Sequence, residues 1–150
     1  MRREAMLNRI EQAGLTERVS VLGATTAELL VSWLTPLLRE HETIEQLKEA
    51  GAQWIYGDDP EKTREGLKGY RDRLGERVCA LWPFEPFAAE IALDDFADHF
   101  DDLWYPASDD VWLLSLRHRR FLTLNHEELL LFGDLGGPAR WPVFQPHAHK

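Results

Sequence analysis

Three side chains near the middle of the chain have the types and the spacing of metal ligands. Asp95, His99 and Asp102 stand at i, i+4 and i+7, which places two carboxylates and an imidazole on one face of a helix. A metal bound there would also neutralise part of the acidic sequence around it. No second His-rich segment accompanies this set, and His147 and His149 lie close to the end of the chain. A small metal-dependent hydrolase is therefore kept as the alternative function, and the leading prediction includes no metal and no cofactor.

Other catalytic signatures are incomplete. His126-Glu127-Glu128 begins like a zincin helix, but Leu130 stands where the second histidine is needed. Cys79, the single cysteine, lies in an apolar run with no cation beside it, which favours an inert core thiol over a nucleophile. One cysteine excludes an intramolecular disulfide and a Cys-based metal cage, and it favours a reducing cytoplasm. We predict a cytoplasmic protein that is not an enzyme.

The charge of the chain is concentrated in one segment. Between Arg77 and Arg117 there are nine carboxylates and no Lys or Arg, whereas the whole chain has 26 acidic and 17 basic residues and a formal charge of −9. The entire net charge therefore comes from this segment, which is also rich in Trp, Phe and Tyr. A field of one sign attracts partners of the opposite sign, and Trp and Tyr are enriched in interface hot spots. A basic protein partner is expected, and direct nucleic-acid binding is not, because phosphate contacts need clustered cations.

The acidic segment contains a predicted helix that starts at Asp94 and ends at about Leu103. Phe96 and Phe100 are predicted to face the core, so the nearby carboxylates face outward. Asp101 and Asp102 would lie near the C-terminus of this helix, where a negative charge costs a few tenths of a kcal/mol, and this cost favours a functional role. The predicted partner-binding residues are Asp98, Asp101, Asp102, Trp104, Tyr105, Asp109 and Asp110. The alternative is an ordinary solvated surface, with Asp109 making an Asx-type turn bond.

Helical periodicity and capping signals predict the elements of the first half. A helix is expected over 4–13, and a second from the Thr25–Glu28 capping box to a kink or end at Pro36. A third follows the Thr43–Gln46 capping box, and a charged fourth runs over 60–74, where the interior residues Gly66 and Gly69 weaken the prediction.

Strands dominate the second half. Runs of apolar residues predict four strands there, over 77–82, 89–93, 111–116 and 121–124, and two short strands in the first half, over 18–22 and 53–56. After these, His126–Phe132 is open between a strand and a helical turn capped by Asn125. Helices first and strands later, joined by short links, predict a single α+β domain over 1–150 with a mostly antiparallel sheet. Its parts are a helical part at 1–75, a strand-rich acidic part at 76–135 and an irregular tail at 136–150.

Two further expectations concern packing and targeting. One core is predicted to contain Phe96, Phe100, Trp112, Leu114 and Leu122. The longest apolar runs are far shorter than a membrane span, and the basic N-terminal residues continue into a mixed-charge segment without the apolar core of a signal peptide. No membrane partner is expected, and the oligomeric state stays open.

The string from Leu103 to Phe132 resembles small bacterial immunity-type and uncharacterised accessory proteins. The residues that carry the resemblance are Leu103-Trp104-Tyr105-Pro106, Ser108-Asp109-Asp110-Val111-Trp112, Asn125-His126-Glu127-Glu128 and Phe132-Gly133. It covers about a fifth of the chain. The resemblance implies a cytoplasmic α+β protein that occludes a partner toxin and performs no chemistry. The leading hypothesis is therefore an immunity protein that neutralises a cationic toxin domain, such as a nuclease, and a regulatory or scaffold domain is a further alternative.

Overall fold

The computed structural model describes residues 2–55, 59–106 and 108–136, and in this part of the chain seven helices surround one seven-stranded sheet. The helices are α1 Arg2–Gln12, α2 Ala24–Glu40, α3 Ile44–Glu49, α4 Pro60–Lys68, α5 Arg71–Leu74, α6 Leu93–Asp98 and α7 Phe100–Leu103. The strands are β1 Ser20–Val21, β2 Gln53–Trp54, β3 Arg77–Trp82, β4 Phe87–Ala92, β5 Val111–Ser115, β6 Arg120–Leu124 and β7 Leu129–Asp134. Their order is β1-β4-β3-β5-β6-β7-β2, and every neighbouring pair is antiparallel. The predicted α+β class is confirmed.

Both faces of the sheet are covered by helices. Successive side chains of a strand point to opposite faces, so Ala80 and Leu81 belong to different cores. The first face packs against α1 and α4–α7, and the second face packs against α2 and α3. The central strands are therefore apolar throughout, which is why β3 and β5 are almost entirely buried.

The single predicted core is wrong, because its members lie on opposite sides of the sheet. Phe96, Phe100 and Leu122 belong to the first face, whereas Trp112 and Leu114 pack on the second face. The alternation within β5 explains the error. Its even-numbered residues point toward α2. The sequence prediction had assumed a sheet with helices on only one face.

Two helices in the first half of the chain differ clearly from the sequence prediction. Helix α2 begins after Gly23 without a side-chain cap, and it continues through Pro36 to Glu40. The buried side chains of Leu30 and Leu34 anchor it to the sheet, and this packing outweighs the backbone hydrogen bond that a proline removes. The charged helix over 60–74 divides into α4 and α5 near Gly69.

Of two helix caps suggested by the sequence, at Thr43 and at Asn125, one is present and one is not. The capping box before α3 is present, since Thr43 Oγ1 accepts from the Gln46 N–H at 3.1 Å and Gln46 Oε1 accepts from the Thr43 N–H at 3.0 Å. Asn125 caps no helix. Its Oδ1 accepts from the N–H groups of Glu127 and Leu129, both at 3.0 Å, and closes the turn that leads into β7.

No helix in the described part of the chain combines the length and the apolar character that crossing a bilayer requires. The predicted irregular tail lies almost entirely outside the described residues, which end at Gly136.

Candidate functional site

The predicted acidic helix is broken in its middle. Helix α6 ends at Asp98, His99 has φ −122° and ψ 23°, and α7 starts at Phe100. Asp101 and Asp102 therefore stand in the first turn of α7, whereas the sequence prediction placed them at the C-terminus of a longer helix. The argument that they oppose a helix dipole is wrong, since the first turn is where a carboxylate is favoured.

Cations from the first half of the chain pair with the carboxylates of α6 and α7. We name these contacts the ion-pair seam: Lys68–Asp98 at 2.6 Å, Arg71–Asp94 at 2.7 Å, Arg18–Asp95 at 3.2 Å and Arg64–Asp101 at 3.8 Å. The hydrogen bond to Asp98 raises the pKa of Lys68, desolvation opposes this rise, and the negative charges of Asp98, Asp94 and Glu61 add to it. The seam joins α4, α5 and the α1–β1 connection to α6 and α7, so the acidic segment is balanced here by charges remote in sequence.

The predicted metal ligands are not assembled into one site. Asp95 is engaged by Arg18, and His99 Nδ1 lies 3.9 Å from Asp102 Oδ2. The break at His99 removes the continuous helical face on which the prediction depended. Among the described residues, no group of three or more His, Cys, Asp or Glu side chains is placed to hold a metal ion. The part of the chain that the structure describes therefore offers the hydrolase alternative no assembled metal site.

Two of the predicted contact residues belong to the interior. Trp104 is 3% exposed and Asp109 is 4% exposed. Asp109 Oδ2 accepts from Arg9 Nη1 at 2.6 Å and from the Tyr105 N–H at 2.8 Å, and the Trp104 indole N–H donates to the Asp109 carbonyl at 3.2 Å. Both residues hold the connection between α7 and β5 in place, and we remove them from the set of surface contacts.

Four of the remaining members, Asp98, Asp101, Asp102 and Tyr105, are exposed, whereas the side chain of Asp110 is only 17% exposed. Tyr105 is 40% exposed, and the Arg9 guanidinium carbon lies 3.9 Å from its ring centroid. Asp110 Oδ1 accepts from the backbone N–H of His126 and contacts its Nδ1, both at 2.8 Å. The side chain of Asp102 is 57% exposed.

Three connections meet at one end of the sheet, which we name the turn end: 83–86, 104–110 and 125–128. Leu81 pairs with Trp112 and Val111 pairs with Leu124, so the β3–β4 turn, the start of β5 and the β6–β7 turn lie side by side. The indole N–H of Trp82 donates to the Leu103 carbonyl at 3.0 Å and fixes the first two connections together. The three connections contain five carboxylates and no Lys or Arg: Glu85, Asp109, Asp110, Glu127 and Glu128.

The turn end also carries an aromatic residue that sequence reasoning missed. Phe84 is 69% exposed, the largest value among the large hydrophobic side chains of the described residues. Its signal was present in the string Pro83-Phe84-Glu85-Pro86, because a side chain between two prolines in a tight turn cannot face the core of the sheet. Trp82 and Leu103 are joined by a hydrogen bond, and Phe84 and Tyr105 stand two residues after them in the chain. The turn end therefore carries two exposed aromatic side chains beside carboxylates.

Cys79 is in the environment that the sequence predicted. The thiol is buried on the second face, and this burial, together with the negative charge of Glu90, raises its pKa to about 12. A thiol with so high a pKa is protonated at neutral pH and is a poor nucleophile.

Comparison of the chain with protein-family models, with curated proteins and with solved structures finds no match.

Proposed function

We propose that this chain is a non-enzymatic binding protein that contacts a cationic protein through the turn end of its sheet. The observation that carries the proposal is the exposure of Phe84 on a turn whose two ends are held by fixed contacts. The β3–β4 hairpin is paired through Trp82–Phe87, and the Trp82 indole is hydrogen-bonded to Leu103. A large apolar side chain on such a fixed turn is preorganised for contact, which lowers the entropic cost of binding.

The charge distribution supports a cationic partner. At the ion-pair seam, carboxylates and cations alternate, so the field there is mixed in sign. At the turn end, Asp110, Glu127 and Glu128 stand in connections without Lys or Arg, and Glu127 and Glu128 are exposed. We therefore replace Asp98 and Asp101 by Glu127 and Glu128 as proposed charged contacts and keep Asp110 among them. Tyr105 is kept as an aromatic anchor, and Phe84 is added. Asp102 stays outside the proposed surface.

The specific form of this proposal is a cytoplasmic immunity protein that blocks a basic toxin domain, such as a nuclease. A nuclease presents cations to the phosphates of its substrate, and a carboxylate surface can occupy those cations in place of phosphate. The sequence resemblance of Leu103–Phe132 supports this form, since one of its four matching strings lies within the turn end and two others overlap it.

The test starts from the neighbouring genes: where one encodes a cationic toxin domain, binding of that domain to the chain is measured. Phe84→Ala is expected to accelerate dissociation by roughly ten- to a hundredfold, because anchor residues at interfaces contribute about 2 kcal/mol or more. Glu127→Gln with Glu128→Gln is expected to slow association by roughly three- to tenfold at low salt and to flatten its salt dependence. Stopped-flow or surface-based kinetics at two salt concentrations measure both effects.

The matched control is Asp98→Asn with Asp101→Asn, which removes the same number of charges from the ion-pair seam. Its association rate should stay close to that of the unsubstituted chain. Slower association in this control alone would move the contact to the seam and contradict the turn-end surface. Absence of a toxin gene beside this one, or toxin activity unchanged by a molar excess of the chain, would contradict the immunity proposal.

A further inference from the structure

A small pocket lies between the edge strand β2 and helix α4, away from the turn-end residues proposed above. Its volume is about 160 Å³. The inner wall is apolar and includes Ile55, Leu130 and the fully buried Leu67. Trp54, which is 59% exposed, and Arg73 also line it. The pocket therefore offers an apolar interior beside an aromatic ring and a cation.

The cation is held by aromatic rings. The guanidinium carbon of Arg73 lies 4.3 Å from the ring centroid of Tyr70 and 4.9 Å from that of Phe132. These two rings are stacked, with centroids 5.3 Å apart and an interplanar angle of 25°. The rings restrict the guanidinium without using its N–H donors, because cation–π contacts act through the face of the ring.

The pairing of Arg73 differs from that of its neighbours. Arg64, Lys68 and Arg71 on the same two helices each pair with a carboxylate of α6 or α7. Among the residues that the structure describes, no carboxylate pairs with Arg73. The same holds within this part of the chain for Lys48, whose Nζ lies 5.4 Å from the Trp54 ring centroid. Within the described residues, two cations without acidic partners, one lining the pocket and one over its Trp54 ring, are unexpected in a chain with a formal charge of −9.

Two glycines form part of the pocket wall. Gly66 lies inside α4 and Gly69 follows its last residue, and both line the pocket. A glycine inside a helix costs about 1 kcal/mol relative to alanine, so Gly66 is unfavourable for the helix itself. A Cβ added at Gly69 would lie 3.3 Å from the Gly66 carbonyl oxygen and 3.6 Å from that of Glu65, so this glycine relieves crowding against the helix backbone. Both glycines contribute backbone atoms to the pocket wall.

We propose that this pocket binds a small aromatic carboxylate, with the ring against Trp54 and Leu130 and the carboxylate on Arg73. A guanidinium with uncommitted donors binds a carboxylate through two parallel hydrogen bonds. The volume fits a single ring, because an apolar cavity of about 150 Å³ holds one benzene molecule and pockets for larger ligands are about 300–1,000 Å³.

Benzoate is the probe, and benzyl alcohol is the matched neutral compound with the same ring. Titration of the ¹⁵N-labelled chain with benzoate should shift the amide signals of β2 and α4 and the Trp54 indole signal. Benzyl alcohol should bind at least about tenfold more weakly. Equal affinity of the two compounds would overturn the assignment of the carboxylate to Arg73, and benzoate shifts spread over other surfaces would overturn the site.

Substitutions distinguish the role of Arg73 in binding from its role in stabilising the fold. Arg73→Gln should weaken benzoate binding by at least about tenfold, whereas the matched control Arg117→Gln, at an exposed position in the β5–β6 turn, should leave it unchanged. Because Arg73 also contacts Tyr70 and Phe132, the melting temperature of the variant is measured in parallel. If Arg73→Gln does not fold, Trp54→Ala replaces it, since Trp54 is largely exposed. Benzoate affinity in Trp54→Ala equal to that in Arg117→Gln would overturn the proposal.

Discussion

Asp109 and Asp110 are adjacent in sequence, yet their carboxylates perform different tasks. Asp109 is 4% exposed and accepts hydrogen bonds from Arg9, from the Tyr105 backbone and from Ser108. Asp110 is partly buried, with its side chain 17% exposed, and accepts from His126. The difference follows from their positions just before β5, where alternate residues point in opposite directions.

Asp109→Ala is expected to destabilise the chain by about 3–5 kcal/mol, because it leaves the largely buried Arg9 charge without its partner and the Tyr105 N–H without an acceptor. Urea denaturation measures the change. Asp102→Asn at an exposed position is the control and should stay within about 0.5 kcal/mol of the unsubstituted chain. A loss below about 1 kcal/mol for Asp109→Ala would show that the network contributes little.

Cys79 provides a test that depends on pH. Because burial raises its pKa to about 12, the folded state disfavours the thiolate, and the associated stability is fully present below the ordinary thiol pKa. This stability is lost as the pH rises from the ordinary value through about 12, since the unfolded chain ionises first. The unfolding free energy should fall between pH 8 and pH 10, and by less in Cys79→Ala. Iodoacetamide at pH 8 should label the thiol only in denaturant, and rapid labelling of the native chain would contradict its burial.

At the scale of elements, the break between α6 and α7 changes where the carboxylates of the acidic segment lie in their helices. The Lys68–Asp98 and Arg64–Asp101 pairs place α4 against these two short helices, and α4 and α6 are in extensive contact. Exposed ion pairs each contribute about 0.2–1 kcal/mol, so the seam orients the helices more than it stabilises them. Phe96 and Phe100, buried beneath it, supply the larger hydrophobic contribution.

Asp101→Asn with Asp102→Asn is expected to lower stability by a few tenths of a kcal/mol, because the double change weakens the contact with Arg64 and removes charge from the first turn of α7. The continuous helix of the sequence prediction gives the opposite sign, a small gain. Thermal melts at low salt distinguish the two, and addition of about 1 M salt should reduce the difference. A reproducible gain in stability would favour the continuous helix.

At the scale of the whole molecule, one sheet separates two cores. Phe96 packs on the first face with α1 and α4–α7, and Trp112 packs on the second face with α2. The two ends of the sheet also differ in charge. The turn end has no Lys or Arg, whereas the connection at the opposite end contains Arg117-His118-Arg119 and leads into Arg120. The sheet therefore positions both the cores and the charge.

Phe96→Leu and Trp112→Phe are expected to cost about 1–2 kcal/mol each, because each removes buried volume from a packed core. Their effects should add within about 0.5 kcal/mol in the double variant, since the residues share no contacts and stand on opposite faces. Urea denaturation of the two single variants and the double variant gives the coupling energy. A coupling above about 1 kcal/mol would mean that the two residues share one core, as the sequence prediction assumed.

The sequence by itself determined the fold class and several of the elements. Apolar runs and flanking turn residues located β3 at Arg77–Trp82 without error, and the Thr43–Gln46 pattern located the start of α3. These signals are local, because strand alternation, capping and turn chemistry act within a few residues. The exposed position of Phe84 was also readable from its two flanking prolines, although the prediction did not use it.

Only the tertiary structure decided which charges pair with each other within the chain. The chain has 17 basic residues, and four of them, at positions 18, 64, 68 and 71, pair with carboxylates between positions 94 and 101. The pair with Asp94 is separated by 23 residues in sequence and the pair with Asp95 by 77, so no local sequence pattern predicts them. Burial of Trp104 and Asp109 is likewise set by packing against α1. Charge and burial are sums over neighbours in space, and the fold chooses those neighbours.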